Sequence, residues 1–315
     1  MNMKHITFGS LLYLSLALSA GSCKKEEIAA EPAGTGGANS GGTNTGGVAE
    51  AGGGGGALVK DQCQQGLAGP ALVRLPAPDG SFYCMDERET TVAEYTAFMN
   101  EATAQPKTQP AECDWNDSFV PQTYEEGESP TGCAQASWSN LKANPGFAMG
   151  CVDFCDAFAY CKWAGKRLCS AVGGDGSKLL TTDLATGTSI ATSVAGEWFG
   201  ACSQGGQSKY AYGDTRDPSK CVETEKFKAL GNASLDVTNS PSTCHGTVEP
   251  YSSIRDMHGS VAEWQNVCRN QNCVVSGSSV ADQDPLGCEE FGLFARPNEN
   301  PFVGIRCCAD AVVPE

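Results

Sequence analysis

An α+β domain rich in loops and disulfides is the fold this sequence predicts, on three observations. Short β-branched and aromatic runs are cut by Pro and Gly, as in small-strand sheets. At least two segments carry apolar residues at helical spacing. The 315-residue chain also holds 17 cysteines, too many for a reducing compartment unless they bind metal. There are no Cys-x-x-Cys units and only 3 histidines, so disulfides fit better than zinc by spacing.

Residues 1–22 read as a secretory signal: Lys4, an apolar run from Ile6 to Leu18, then small residues up to Cys23. The run is too short to span a bilayer securely. Ser19-Ala20-Gly21-Ser22-Cys23 resembles a bacterial lipobox, which makes Cys23 the expected lipidated N-terminus and membrane contact. Setting Cys23 aside leaves 16 cysteines, an even number that can pair completely. Residues 23–57, with the run Gly52–Gly56, form a flexible tether without core-forming residues. Residues 58–315 read as a single domain, because no further linker interrupts them.

Leu72-Val73-Arg74-Leu75 reads as a strand, and Ser81–Met85 as its hairpin partner across Asp79-Gly80. Thr91 caps a helix whose face carries Tyr95, Phe98 and Met99. Residues 105–147 are irregular. Val152–Ala164 is the clearest helix, ended by Gly165, and Ala195–Cys202 is a second, shorter one. Tyr210–Asp214 runs extended into a turn. Cys273-Val274-Val275 is a short strand, and Phe302–Cys308 is a closing strand.

Between these lies Asp256-Met257-His258-Gly259-Ser260-Val261-Ala262-Glu263-Trp264. Gly259 permits a sharp turn, Asp256 and Glu263 place carboxylates around it, and Trp264 anchors it. It reads either as an acidic turn over a buried Trp or as an oxygen-rich loop for a hard cation. The net charge of −16 excludes phosphate-backbone binding, so no nucleic-acid partner is expected. No nucleophile elbow and no phosphate loop is present.

Taken in order, these segments resemble the formylglycine-generating enzyme (sulfatase-modifying factor) family. The resemblance rests on Glu89-Thr90-Thr91-Val92 with Tyr95 and Phe98, Val152–Leu168, Glu197-Trp198, Tyr212-Gly213-Asp214, Asp256–Trp264 and Gly304-Ile305-Arg306-Cys307. It covers most of residues 80–310 and implies a compact variant of the C-type lectin-like fold. It further implies a structural calcium held by the side chains of Asp256 and Glu263 and the carbonyls of Gly259 and Val261. A second calcium site would fall near Asn232 and Asp236, where the sequence has diverged.

Active relatives use two redox cysteines about five residues apart to bind copper and oxidise a substrate cysteine. Counting back from Ala295-Arg296 puts Cys288 at the second of these positions. The first falls near Asp282 or Gln283, and neither is a thiol. A disulfide is therefore the expected state of Cys288, although Cys273 could approach it in space. A three-histidine iron site, used by other relatives, is excluded because His5 lies in the signal segment, leaving His245 and His258.

Two functions follow. The preferred one is an exported, lipid-anchored binding or structural module without catalysis, at the outer membrane. Its ligand would be a protein or glycan, with Asp114-Trp115-Asn116-Asp117 and Trp138 as candidate contact residues. The other is a formylglycine-generating oxidase with a rearranged thiol pair, for which copper would be the cofactor.

Overall fold

A computed structural model describes residues 62–312 apart from 103–108, 122–132, 134–140, 177, 232–234 and 241–242. The signal segment, Cys23, the tether, Trp138 and Asn232 lie outside the described residues.

The hairpin forms where the sequence places it. Strand β1 (Leu72–Pro76) pairs antiparallel with β2 (Phe82–Asp86), in the register Leu72↔Asp86 to Pro76↔Phe82. Asp79 holds the turn by accepting from the Ser81 amide at 2.9 Å, the local Asx bond that makes such residues turn formers. Helix α1 (Val92–Ala102) opens with a capping box: the Thr91 amide donates to Glu94 Oε2 at 2.8 Å, and the Glu94 amide donates to Thr91 Oγ1 at 3.3 Å. Its buried face is Val92, Tyr95, Phe98 and Met99.

Helix α2 (Phe154–Trp163) begins two residues later than the apolar pattern suggests. Asp153 accepts from the Asp156 amide at 2.8 Å and so acts as the N-cap. Phe154 through Cys161 are buried without a break, which marks a central core helix rather than a surface one. Gly165, at φ +74°, takes the left-handed turn after the helix. Around α2 pack Tyr95, Phe98, Met149, Trp264 and Ile305.

The chain continues through β3 (Arg167–Leu168), α3 (Leu184–Thr192), α4 (Glu197–Cys202) and α5 (Thr224–Leu230). Helices α3 and α5 were not expected from the sequence. The first is rich in Thr, Ser and Gly, and the second spans under two turns, so neither displays a clear apolar period. The strands β4 (Ala262–Arg269), β5 (Asn272–Ser276), β6 (Phe291–Ala295), β7 (Val303–Gly304) and β8 (Cys307–Asp310) follow.

Two four-stranded sheets result, ordered β1-β2-β8-β3 and β6-β5-β4-β7. The expected closing strand over Phe302–Cys308 is therefore two strands in different sheets. Val303–Gly304 runs parallel to β4, while Cys307–Asp310 lies between β2 and β3. Trp264, expected as the anchor of a turn, sits inside β4 and donates its indole N–H to the Val152 carbonyl at 3.0 Å.

All sixteen described cysteines pair, in eight disulfides. Cys273 joins Cys268 across the β4–β5 hairpin, so it does not serve Cys288. Adjacent residues of a strand face opposite ways, and β8 uses this: Cys307 bonds Cys161 in the α2 core, while Cys308 bonds Cys169 in the second core around Trp198. This oxidised framework belongs to an extracellular or otherwise oxidising compartment. No helix among the described residues is long and apolar enough to cross a membrane.

Candidate functional site

The Asp256–Glu263 loop is built from residues in the left-handed region. Asp256, Gly259 and Ser260 have φ of +57°, +78° and +54°. A Cβ at Gly259 would lie 2.5 Å from the Val222 carbonyl, so only glycine fits there. The loop is pinned by the Ser260 amide donating to the Val222 carbonyl at 2.9 Å and by the Gly259 amide donating to Ser278 Oγ at 3.1 Å. Asp256, His258, Val261 and Glu263 are all buried.

Glu263, second residue of β4, is held by two donors: Arg306 Nε to Oε1 at 2.8 Å and Trp198 Nε1 to Oε2 at 2.6 Å. The fully buried Arg306 also donates to the carbonyls of Asp86 (3.0 Å), Arg255 (2.9 Å) and Asp256 (3.3 Å). Its Nη2 stands 3.8 Å from Glu89 Oε2. Burial pushes the Glu89 and Glu263 carboxyls upward, and the Arg306 guanidinium opposes this. Asp256 adds to the upward push on Glu89, and it also attracts Lys226. Two buried carboxylates, Glu263 and Glu89, thus share one buried guanidinium.

Buried carboxylates on a left-handed loop are the donor type a hard cation takes, but both oxygens of Glu263 already accept from Arg306 and Trp198, so a cation would have to share or displace those donors. A calcium here would be held by Asp256 and Glu263 through their side chains and by Gly259 and Val261 through their carbonyls. It would supply structural charge balance. At the second expected position, Asp236 accepts from the Thr238 and Asn239 amides at 3.0 and 3.2 Å and is engaged in its own turn.

His258 points from the same loop toward sulfur. Its Nε2 lies 3.3 Å from Cys202 Sγ and 3.6 Å from Cys288 Sγ, the two halves of one disulfide. Its Nδ1 is buried without a hydrogen-bond partner. Burial lowers its pKa to about 4, so the ring is neutral near pH 7. Both sulfurs of the pair are consumed by the S–S bond, so the oxidised chain offers no thiolate to copper at the family position, and copper does not fit it.

The sequence brought Asp256, Glu263 and Cys288 forward, but missed Cys202, His258 as its neighbour, and the role of Trp198. Cys202 was hidden because its pairing spans 86 residues. The Glu197-Trp198 and Gly304-Ile305-Arg306 pieces of the resemblance did carry signal, since Trp198 and Arg306 are the two donors to Glu263. Among the candidate contact residues, Trp115 is exposed, whereas Asn116 is buried and donates to Asp156 at 2.9 Å. Asn116 therefore supports α2 instead of facing a ligand.

Among solved structures, PvdO from Pseudomonas aeruginosa is 14% identical over 76% of this chain and 92% of that one, with a TM-score of 0.42. CarF is 15% identical over 73% and 87%, with a TM-score of 0.40. Treponema denticola variable protein 1 is 14% identical over 77% and 93%, with a TM-score of 0.42. No curated protein sequence matches the chain. The model of the sulfatase-modifying factor enzyme 1-like domain matches residues 70–311, and the chain belongs to that family.

Proposed function

We propose that this chain is a catalytically silent member of its family: an exported module tethered through lipidated Cys23, lodged at the outer membrane, that binds a protein or glycan. The observation that carries this reading is the Cys202–Cys288 disulfide. The cysteine at the family's redox position is capped by a distant partner, and positions 282 and 283 are Asp and Gln. With no thiolate there is no copper site and no electron path from a substrate thiol. Calcium at Asp256, Gly259, Val261 and Glu263 braces the module in this reading.

The test is a free-thiol count on native mature protein, by alkylation and mass spectrometry. No labelled cysteine is the expected result. The second reading, a formylglycine-generating oxidase with a rearranged pair, is favoured by the seating of Cys202 against Cys288. Labelling of both, together with oxidation of a cysteine-containing peptide, would establish that reading and sink the first. The calcium assignment has its own check. At a 100-fold excess over Kd, calcium should stabilise the protein by about 2.7 kcal/mol, seen as a raised Tm that chelation reverses and Asp256→Asn abolishes.

A further inference from the structure

We propose that Cys202, His258 and Cys288 form a redox-gated zinc site: closed as a disulfide in the oxidised chain, and able to take one Zn(II) once that bond is reduced. The three ligand atoms lie within 4.8 Å of one another, and all three residues are buried. This goes beyond the module reading and does not depend on it, because the oxidised chain is the same in both.

The distances match the chemistry. Zn–S bonds of about 2.3 Å and Zn–N bonds of about 2.05 Å at a tetrahedral angle set a sulfur-to-nitrogen spacing of about 3.6 Å. His258 Nε2 is already 3.3 and 3.6 Å from the two sulfurs. Only the sulfurs need to part, to the spacing of two ligands on one metal. Thiolate and imidazole donors together suit Zn(II).

The histidine has no competing occupation. Among the described residues its ring nitrogens have no hydrogen-bond partner besides those sulfurs, and Nδ1 has none at all. A buried, unsatisfied ring nitrogen calls for an explanation, and a ligand role gives one. Cys169, Glu197 and Cys308 form a superficially similar trio. There, however, Glu197 is held by Arg167 through both carboxylate oxygens, so that carboxylate is not available.

The gate lies near the surface. Cys288 follows a loop in which Gln283, Asp284 and Leu286 are exposed, and Glu289 beside it is exposed too. The step balances with a dithiol reductant. Two electrons and two protons from the dithiol convert the S–S bond into two thiols, and the dithiol closes to its own disulfide. Zinc then replaces the two thiol protons, which pass to solvent.

The experiment is a graded dithiol titration of the full chain. Peptide mapping follows which bonds open, and Zn(II) alone is the probe, with Co(II) as its spectroscopic substitute. The expected result is that Cys202–Cys288 opens before the bonds of β8, and that one zinc per chain is then taken up with cobalt–thiolate charge-transfer bands. His258→Phe should weaken zinc binding by at least about 100-fold, more than losing an outer-shell partner costs, while leaving the oxidised fold intact by circular dichroism. Cys202→Ser/Cys288→Ser should abolish binding. Three results would overturn the proposal: no uptake once the bond is mapped as open, unchanged affinity in His258→Phe, or a Cys202–Cys288 bond that outlasts the others.

Discussion

Two buried disulfides, Cys169–Cys308 and Cys202–Cys288, close loops of similar size, with sequence separations of 139 and 86. Each has one titratable side chain against it, yet the two neighbours differ in kind. Glu197, beside the first, accepts from Arg167 at 2.6 and 2.7 Å and from the Ser170 amide at 2.9 Å. Arg167 in turn reaches Asp310 on β8 at 2.7 Å. That disulfide belongs to a closed ionic lattice. His258, beside the second, packs its ring against Tyr210, but among the described residues its ring nitrogens meet only sulfur, and Nδ1 meets nothing. A buried polar group with every partner filled is framework, whereas one with an empty valence is a candidate for chemistry.

The largest expected effect comes from opening the lattice. Glu197→Ala removes the buried partner of Arg167, leaving it the exposed Asp310, and should cost about 3–5 kcal/mol, read by chemical denaturation. A loss under about 1 kcal/mol would show that the lattice is not what distinguishes the first disulfide. An intermediate effect is expected from removing each bridge by paired serine substitutions. Chain entropy gives both loops nearly the same stabilisation, about 5 kcal/mol, and puts them within about 0.5 kcal/mol of each other. If Cys169→Ser/Cys308→Ser proves far worse than Cys202→Ser/Cys288→Ser, the ion pair and its bridge act as one unit. The smallest effect should come from His258→Phe in the oxidised chain. Replacing an unsatisfied polar ring by an apolar one of similar shape should be neutral or stabilising by up to about 1 kcal/mol. A cost above about 2 kcal/mol would mean the imidazole is a structural part after all.

Local chemistry made much of the fold legible. The Asp79-Gly80 hairpin, the Thr91 cap and the core helix each declare themselves within a few residues, although the Asp153 cap of that helix did not. Long-range pairing did not. Val303–Gly304 and Cys307–Asp310 look like a single apolar strand, because nothing local says that the chain crosses from one sheet to the other at Ile305-Arg306. At the site, the carboxylates of Asp256 and Glu263 were visible as a motif, while the Cys202–His258–Cys288 trio was not. Its members lie 56 and 30 residues apart, outside any ligand-spacing pattern.

The neighbouring cysteines of β8 bear on how such a chain comes together. Cys161 and Cys169 emerge long before their partners, which are 146 and 139 residues further along. They are only eight positions apart, and until residues 307 and 308 arrive each is a tempting but wrong mate for the other. The last strand is therefore the fastener of both cores: neither bond can close until residues 307 and 308 are present, and a chain cut short before Cys307 would leave α2 and β3 without their shared clasp.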